Sequence, residues 1–242
     1  MSLLTVDKLS ARHGLLQAVR DVSFGAAEGE ILALVGANGA GKTTLLRTIA
    51  GSHRAAGGSV SFDGADLGSM RAHRRVRLGI ALVPEGRRLF GGMTVEENLA
   101  VAGANGRRGR WTLETVLDAF PMLKPLRKRR GGELSGGQQQ AAAIGRALMT
   151  NPRVLLLDEV SLGLSPVAVS AVYESLQAVI AEGRTTIVLV EQDLSRVMRI
   201  ATRVACMLEG RIVLEGKAAD LTREAVTEAY FGLRRGEGGV HA

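Results

Sequence analysis

A single cysteine, Cys206, stands among 242 residues. No internal disulfide can form, and no zinc cluster is supported. Cys206 lies in the apolar run Val204-Ala205-Cys206-Met207-Leu208, which marks it as a buried, inert thiol. Aromatic residues make up only 3% of the chain, so the stacking platforms that single-stranded nucleic acid requires are poorly supported. No apolar run approaches the ~18 residues of a membrane-spanning helix. The opening residues, Met1-Ser2-Leu3-Leu4-Thr5-Val6-Asp7, lack a basic stretch followed by a long apolar one, so no signal peptide is visible. There is no internal repeat. A soluble protein facing the cytoplasm is expected.

Hydrophobic residues are 46% of the chain, enough for one sizeable core or a core plus a subdomain. The net charge is +7. Much of the excess sits in Arg71-Ala72-His73-Arg74-Arg75-Val76-Arg77, Arg107-Arg108-Gly109-Arg110 and Arg127-Lys128-Arg129-Arg130. Such patches could touch nucleic acid or anionic lipid headgroups. A solvated surface explains them equally simply.

The organising stretch is Gly36-Ala37-Asn38-Gly39-Ala40-Gly41-Lys42-Thr43, followed by Thr44. Its spacing is that of a phosphate-binding loop. The apolar run 31–35 before it reads as a buried strand, and 44–50 after it as a helix stopped by Gly51. That arrangement aims backbone N–H groups and a helix N-terminus at an anion. Gly36, Gly39 and Gly41 allow positive φ and close approach to phosphate oxygens. Lys42 can reach the β- and γ-phosphates of ATP, and Thr43 can offer its hydroxyl to Mg²⁺. A plain glycine turn would satisfy the spacing but not the whole pattern in this context.

Arg153-Val154-Leu155-Leu156-Leu157-Asp158-Glu159 is an apolar strand ending in two carboxylates. Asp158 is suited to hold Mg²⁺, and Glu159 to polarise an attacking water as general base. Between the two motifs, Leu134-Ser135-Gly136-Gly137-Gln138 starts a helix through about residue 149. Ser135 and the N–H groups of Gly136 and Gly137 would point out of a helix N-terminus, making a second anion site. One bound nucleotide does not need two such sites on one chain. The economical account is that the second site closes over the γ-phosphate held by another copy.

Elsewhere, 3–6 and 19–24 read as strands, and Gly57-Gly58-Ser59-Val60-Ser61-Phe62-Asp63-Gly64 as a short strand closed by a turn. With no helices between them, these strands look antiparallel. Residues 80–83 read as a buried strand stopped by Pro84. Thr94-Val95-Glu96-Glu97 is a capping box. It opens two or three helical stretches to about residue 148, an insertion in an otherwise α/β chain. Strands at 154–157, 185–190 and 204–208, helices at 166–181 and 193–201, and a hairpin through Glu209-Gly210 to 211–214 follow. Such alternation implies a parallel sheet with helices on both faces. The tail 234–242 is glycine-rich and expected to fray.

Phosphate loop, Leu-Ser-Gly-Gly-Gln and Asp-Glu strand, in that order, resemble the ATP-binding-cassette family over about residues 4–231. The resemblance implies a P-loop NTPase with a RecA-like core, an N-terminal antiparallel β subdomain and an inserted helical subdomain. It implies one ATPase domain over 4–235, with core segments 4–84 and 150–235, insertion about 85–149 and tail 236–242. It implies subunits that dimerise head to tail around two ATPs and dock on two transmembrane permease subunits at the cytoplasmic face of the inner membrane, with no nucleic-acid partner.

Val83-Pro84-Glu85-Gly86-Arg87-Arg88-Leu89-Phe90, Met93-Thr94-Val95-Glu96-Glu97-Asn98-Leu99, Ala143-Ile144-Gly145-Arg146-Ala147-Leu148-Met149, Asp158-Glu159-Val160-Ser161-Leu162-Gly163-Leu164-Ser165-Pro166 and Val190-Glu191-Gln192-Asp193 are similar to one subgroup. That subgroup is the smaller ATPase subunit of high-affinity branched-chain amino acid importers, whose relatives handle amides and urea. It implies a second ATPase subunit, a paralogue or another copy, and an extracytoplasmic solute-binding protein acting indirectly.

By that resemblance, Glu85 stands where Gln usually touches Mg²⁺, Gln192 where a switch His contacts the γ-phosphate, and His13 where an aromatic stacks on adenine. Gln192 can donate a hydrogen bond but cannot carry charge. Val160 replaces a Pro, Ser165 an Asp, and Gln138-Gln139-Gln140-Ala141 lacks an Arg. These departures bear on the speed of hydrolysis rather than on nucleotide binding. A groove near residues 85–93 is expected to accept a short helix of a membrane subunit, with Leu89, Phe90 and Met93 as exposed apolar contacts.

Overall fold

Two sheets divide the strands according to how the chain connects them. The computed structural model describes residues 2–233, so the tail expected at 234–242 lies outside it. β1 (Ser2–His13) and β2 (Leu16–Ala27) form a hairpin across a two-residue turn. Gly14, at φ +60°, supplies the positive φ that so tight a turn requires. Both strands are longer than the 3–6 and 19–24 expected. Register shifts interrupt the alternation near Lys8 and Asp21, each at positive φ, and hide the period of two. The Ser10 hydroxyl accepts from the Asp21 amide and donates to its carboxylate, both at 3.0 Å, pinning the irregularity. β4 (Ala55–Phe62) and β5 (Ala65–Asp66) complete an antiparallel sheet of order β2-β1-β4-β5.

The second sheet has the order β10-β9-β3-β8-β7-β6. Its parallel members are β3 (Ile31–Val35), β6 (Ile80–Val83), β7 (Val154–Asp158), β8 (Thr186–Val190) and β9 (Arg203–Leu208). β10 (Arg211–Lys217) pairs antiparallel at the edge. Every residue of β3, β7 and β8 is buried, because both faces of the sheet are covered. α1 (Lys42–Ile49) starts two residues earlier than expected, directly from the glycine loop. It inserts Leu45, Leu46 and Ile49 between the two sheets. Each such burial contributes about 1.5–3 kcal/mol. On the other face lie α6 (Pro166–Ile180), α5 (Gly136–Leu148) and the helical insertion. α7 (Leu194–Ile200) and α8 (Arg223–Phe231) cover a third apolar cluster, which includes Cys206. Burial pushes the Cys206 thiol up to about 11.

The insertion comprises α3 (Val95–Gly103), α4 (Leu113–Ala119) and two 3₁₀ turns, Pro121–Leu126 and Gly131–Glu133, before α5. The capping box at Thr94 and Glu97 forms as read from the sequence. Asn98, fully buried, accepts from the Phe90 amide and donates to the carbonyls of Phe90, Met93 and Thr94, so the loop before α3 is tied to it. This tie turns Phe90 outward, half exposed, while Leu89 packs against the core. The expectation of an exposed Leu89 is therefore corrected.

The basic stretch 71–77 holds a helix that the sequence reading missed, α2 (Ala72–Leu78). Nor is it simply a solvated face. Arg75 is buried and donates to the carbonyls of Thr48 and Ile49 at the end of α1, and to those of Gly68 and Met70. One guanidinium thus satisfies carbonyls that the helix end leaves open. Replacing Arg75 by Ala strands these acceptors and is expected to cost about 3 kcal/mol in urea unfolding. Arg74→Ala, on the exposed side of the same helix, is expected to stay within about 0.5 kcal/mol of the parent. Equal midpoints for the two variants would contradict this account of α2.

Candidate functional site

The strand order of the parallel sheet brings three chain segments to one edge. β8 lies between β3 and β7, so the loops following Val35, Asp158 and Val190 open side by side at the carboxyl ends of the strands. That edge is where open α/β sheets bind ligands. A cleft of about 380 Å³ lies there. Asn38, Gly39, Gly41, Lys42, Thr43 and Thr44 line its floor, with Glu85, Glu159 and Gln192 on one side and His13, Leu16 and Ala18 at its mouth.

The loop from Gly36 to Gly41 is tight for steric reasons. Gly41 caps α1 at φ +99°, and a Cβ there would lie 2.1 Å from the Ala18 carbonyl oxygen. Gly36 has φ +152°, and its Cβ would lie 2.2 Å from the Met207 oxygen. Gly39 also has positive φ, but nothing lies within 4 Å of a Cβ built on it. Ala40 is buried and its carbonyl accepts from the Gly210 amide, which ties the loop to the β9–β10 turn. The Lys42 ammonium, 4% exposed, donates to the carbonyls of Gly36 at 2.7 Å and Ala37 at 2.9 Å, and lies 3.7 Å from Glu159. Burial lowers its pKa, against the opposing pull of Glu159 and Asp158.

Thr43 donates its hydroxyl to Asp158 Oδ1 at 2.9 Å. Asp158 Oδ2 is buried and has no hydrogen-bond partner among the described residues. Burial raises the Asp158 pKa, the Thr43 bond opposes this, and the neighbouring Glu159 charge adds to it. A buried carboxylate oxygen of this kind, beside a hydroxyl, offers the oxygen donors that a hard divalent cation takes. Glu159 follows in left-handed backbone at φ +50°, a region that non-glycine residues hold only when the surroundings enforce it. Its amide donates to Val190 O, and its carboxylate accepts from Gln192 Nε2 at 2.9 Å. Gln192 also donates to Asn38 Oδ1 at 2.9 Å, so its amide bridges the glycine loop and the base candidate.

His13 is exposed at the mouth, its Nε2 3.0 Å from Thr44 Oγ1, its ring tilted against His53 at 4.6 Å. Ser135, Gly136, Gly137 and Gln138 do not line this cleft. They form the start of α5, where the Ser135 hydroxyl accepts from the Gln138 amide and the Gln138 side chain accepts from the Ser135 amide. Ser135 is thus engaged in a capping box rather than turned freely outward. Ser165, in turn, caps α6.

Sequence reasoning missed a buried carboxylate beside this cleft. Glu191, 1% exposed, accepts from the Ser161 amide at 3.1 Å, the Ser161 hydroxyl at 2.7 Å and the Tyr173 hydroxyl at 2.7 Å. Burial, with Glu191 beside it, holds the Tyr173 phenol far above its ordinary value. The signal in the sequence was a carboxylate closing the apolar run Ile187-Val188-Leu189-Val190 with no Lys or Arg adjacent.

A family profile described as "ABC transporter" matches residues 19–161. The chain is 45% identical over 233 residues to the high-affinity branched-chain amino acid transport ATP-binding protein BraG of Pseudomonas aeruginosa, covering 95% of this chain and all of that one. It is 35% identical over 221 residues to the probable branched-chain amino acid transport ATP-binding protein LivF of Archaeoglobus fulgidus, covering 90% and 94%. Among solved structures, an ATP-binding subunit of an ABC transporter superposes with a TM-score of 0.82 at 28% identity, covering 97% of this chain and all of that one.

The loop geometry has a direct consequence for stability. Gly41→Ala, which combines unfavourable φ with a clash on Ala18, is expected to destabilise by about 2–3 kcal/mol in thermal unfolding, and Gly39→Ala by about 1 kcal/mol. A smaller loss at Gly41 than at Gly39 would contradict the steric reading of the loop.

Proposed function

This chain belongs to the ABC transporter family, and from that premise we propose that it is the ATP-hydrolysing subunit of an importer for branched-chain amino acids. The observation that carries the proposal is the convergence of Lys42, Thr43, Asp158, Glu159 and Gln192 on one cleft, in a chain whose close relatives are named for that transport.

In this reading the triphosphate of ATP lies over the amides of residues 36–43 and the N-terminus of α1. Lys42 exchanges its two carbonyl partners for β- and γ-phosphate oxygens, and its desolvation makes that exchange favourable. His13, Leu16 and Ala18 face the base. Thr43, Asp158 and Glu85 hold Mg²⁺, and the partnerless Asp158 oxygen supports that assignment. The ion, when bound, neutralises phosphate charge. Glu159 takes the proton of the attacking water, and Gln192 holds the Glu159 carboxylate in place while offering the cleft an uncharged donor.

The start of α5 lies outside the cleft of its own chain. Ser135, Gly136, Gly137 and Gln138 therefore serve the nucleotide of a facing ATPase subunit, another copy or a paralogue, and closure of the pair completes both sites. The subunit sits peripherally on the cytoplasmic face of the inner membrane, beneath two permease subunits fed by an extracytoplasmic solute-binding protein. None of its described helices is long and apolar enough to cross a membrane. A second cleft of about 370 Å³, walled by Val76, Leu82, Phe90, Val101 and Arg146, receives a helix of the permease. Phe90 is 50% and Val101 42% exposed there, with Met93 beside them at 37%.

Two measurements in the reconstituted transporter test this reading. Lys42→Ala is expected to lower ATP hydrolysis by about 100-fold or more, and Glu159→Gln to do the same while ATP binding persists. Hydrolysis at the parent rate in either variant would refute the catalytic assignment. Phe90→Asp is expected to weaken copurification with the permease subunits without altering nucleotide affinity. Unchanged copurification would remove the groove from the permease interface.

A further inference from the structure

Glu191 is as buried as any core leucine, yet what surrounds its carboxylate is a set of donors rather than a cation. Ser161 gives it both amide and hydroxyl, Tyr173 its phenol, and Gln192 its amide at 3.3 Å. The guanidinium of Arg196 lies over the Tyr173 ring, 4.9 Å from its centroid. A carboxylate in such a place is costly unless every oxygen is used, and here both are. Core packing alone would be served by an apolar residue. The sequence instead spends four donors from three elements on one acidic side chain.

These bonds close a circuit. The Glu159 side chain accepts from the Gln192 side chain, Gln192 is joined through the backbone to Glu191, Glu191 accepts from Ser161, and Ser161 leads back through Val160 to Glu159. The strained residue of the site, Glu159 at φ +50°, lies inside that circuit. The same turn carries Leu162, which is 48% exposed and lines the cleft. We propose that Glu191 is a positioning residue: by clamping Ser161 it fixes both the backbone that aims Glu159 and the backbone that aims Gln192, so base and polar partner move as one unit. The proposal rests on the reading of Glu159 as the general base. Glu191 itself lies behind the reacting atoms and acts through its neighbours.

The test uses the full chain in the reconstituted transporter. Ser161→Ala and Tyr173→Phe each remove one donor and little volume. Each is expected to lower kcat by about tenfold, with KM for ATP and the affinity for a fluorescent ATP analogue within about twofold of the parent. The double variant is expected to lose less than the product of the single losses, since both act through one carboxylate. Ser161→Thr, which keeps the hydroxyl, restores most of the rate lost in Ser161→Ala. Unchanged kcat in both single variants would overturn the proposal. So would rate losses that merely track a lowered melting temperature or a raised KM. If Glu159→Gln hydrolyses ATP at the parent rate, the assignment of the base fails and this inference falls with it. If Glu159→Gln is inactive while Ser161→Ala and Tyr173→Phe turn over normally, the clamp alone is refuted.

Discussion

A hydrogen bond of 2.9 Å from the Thr43 hydroxyl to Asp158 joins segments separated by 115 positions in the chain. The site depends on that junction. It exists because β8 threads between β3 and β7, which sets the glycine loop and the two carboxylates on the same edge of the sheet. Parallel order is in turn secured by three strands buried on both faces and built almost wholly of apolar residues. The apolar strand is therefore the device that delivers a charge: in β7 burial runs through Asp158 at its last position, and Glu159 follows it.

Buried charge recurs through the molecule, and each instance is handled differently. Arg75 satisfies helix-end and loop carbonyls and keeps α1 anchored beneath the loop. Glu191 is saturated by hydroxyl and amide donors. Lys42 is held by two carbonyls and a carboxylate at 3.7 Å, whereas one Asp158 oxygen has no partner among the described residues. Arg75 and Glu191 hold the fold, and the partnerless Asp158 oxygen lies beside Thr43, which lines the cleft. Unspent hydrogen-bonding capacity in a buried place is a resource for ligand recognition, because binding then relieves a cost already present in the protein.

How much of this was legible beforehand follows from the range over which each rule acts. Steric and capping rules act over a few residues. The glycine loop, the Asp158–Glu159 strand end, the capping box at Thr94 and the helix start at Ser135 could therefore be read directly. The hairpin of β1 and β2 was shortened in reading because irregularities at Lys8 and Asp21 disrupt the alternation that identifies strands. α2 was lost behind its arginines, since nothing local distinguishes Arg75, which is buried, from Arg74, which is exposed. Leu89 was expected to be exposed like Phe90, but the buried Asn98 ties this loop down and Leu89 packs inward. The Glu191 clamp joins the residue after β8 to α6 and to the turn after Glu159, and its partners Ser161 and Tyr173 lie at separations that sequence pattern does not reach.

The start of α5 gives the account its larger claim. A helix N-terminus with two glycines, outside the cleft of its own chain, has chemistry suited to phosphate and none of its own to bind. In the proposed function, two facing subunits each complete the other's site. The most direct measurement is a structure of the transporter carrying Glu159→Gln, trapped with ATP and Mg²⁺. The account predicts nucleotide over residues 36–43 with the corresponding helix start of the facing subunit at its γ-phosphate, and Ser135 to Gly137 of this chain at the nucleotide of the other. Nucleotide bound with Ser135 to Gly137 turned to solvent or to a permease, in a closed and fully loaded assembly, would contradict it.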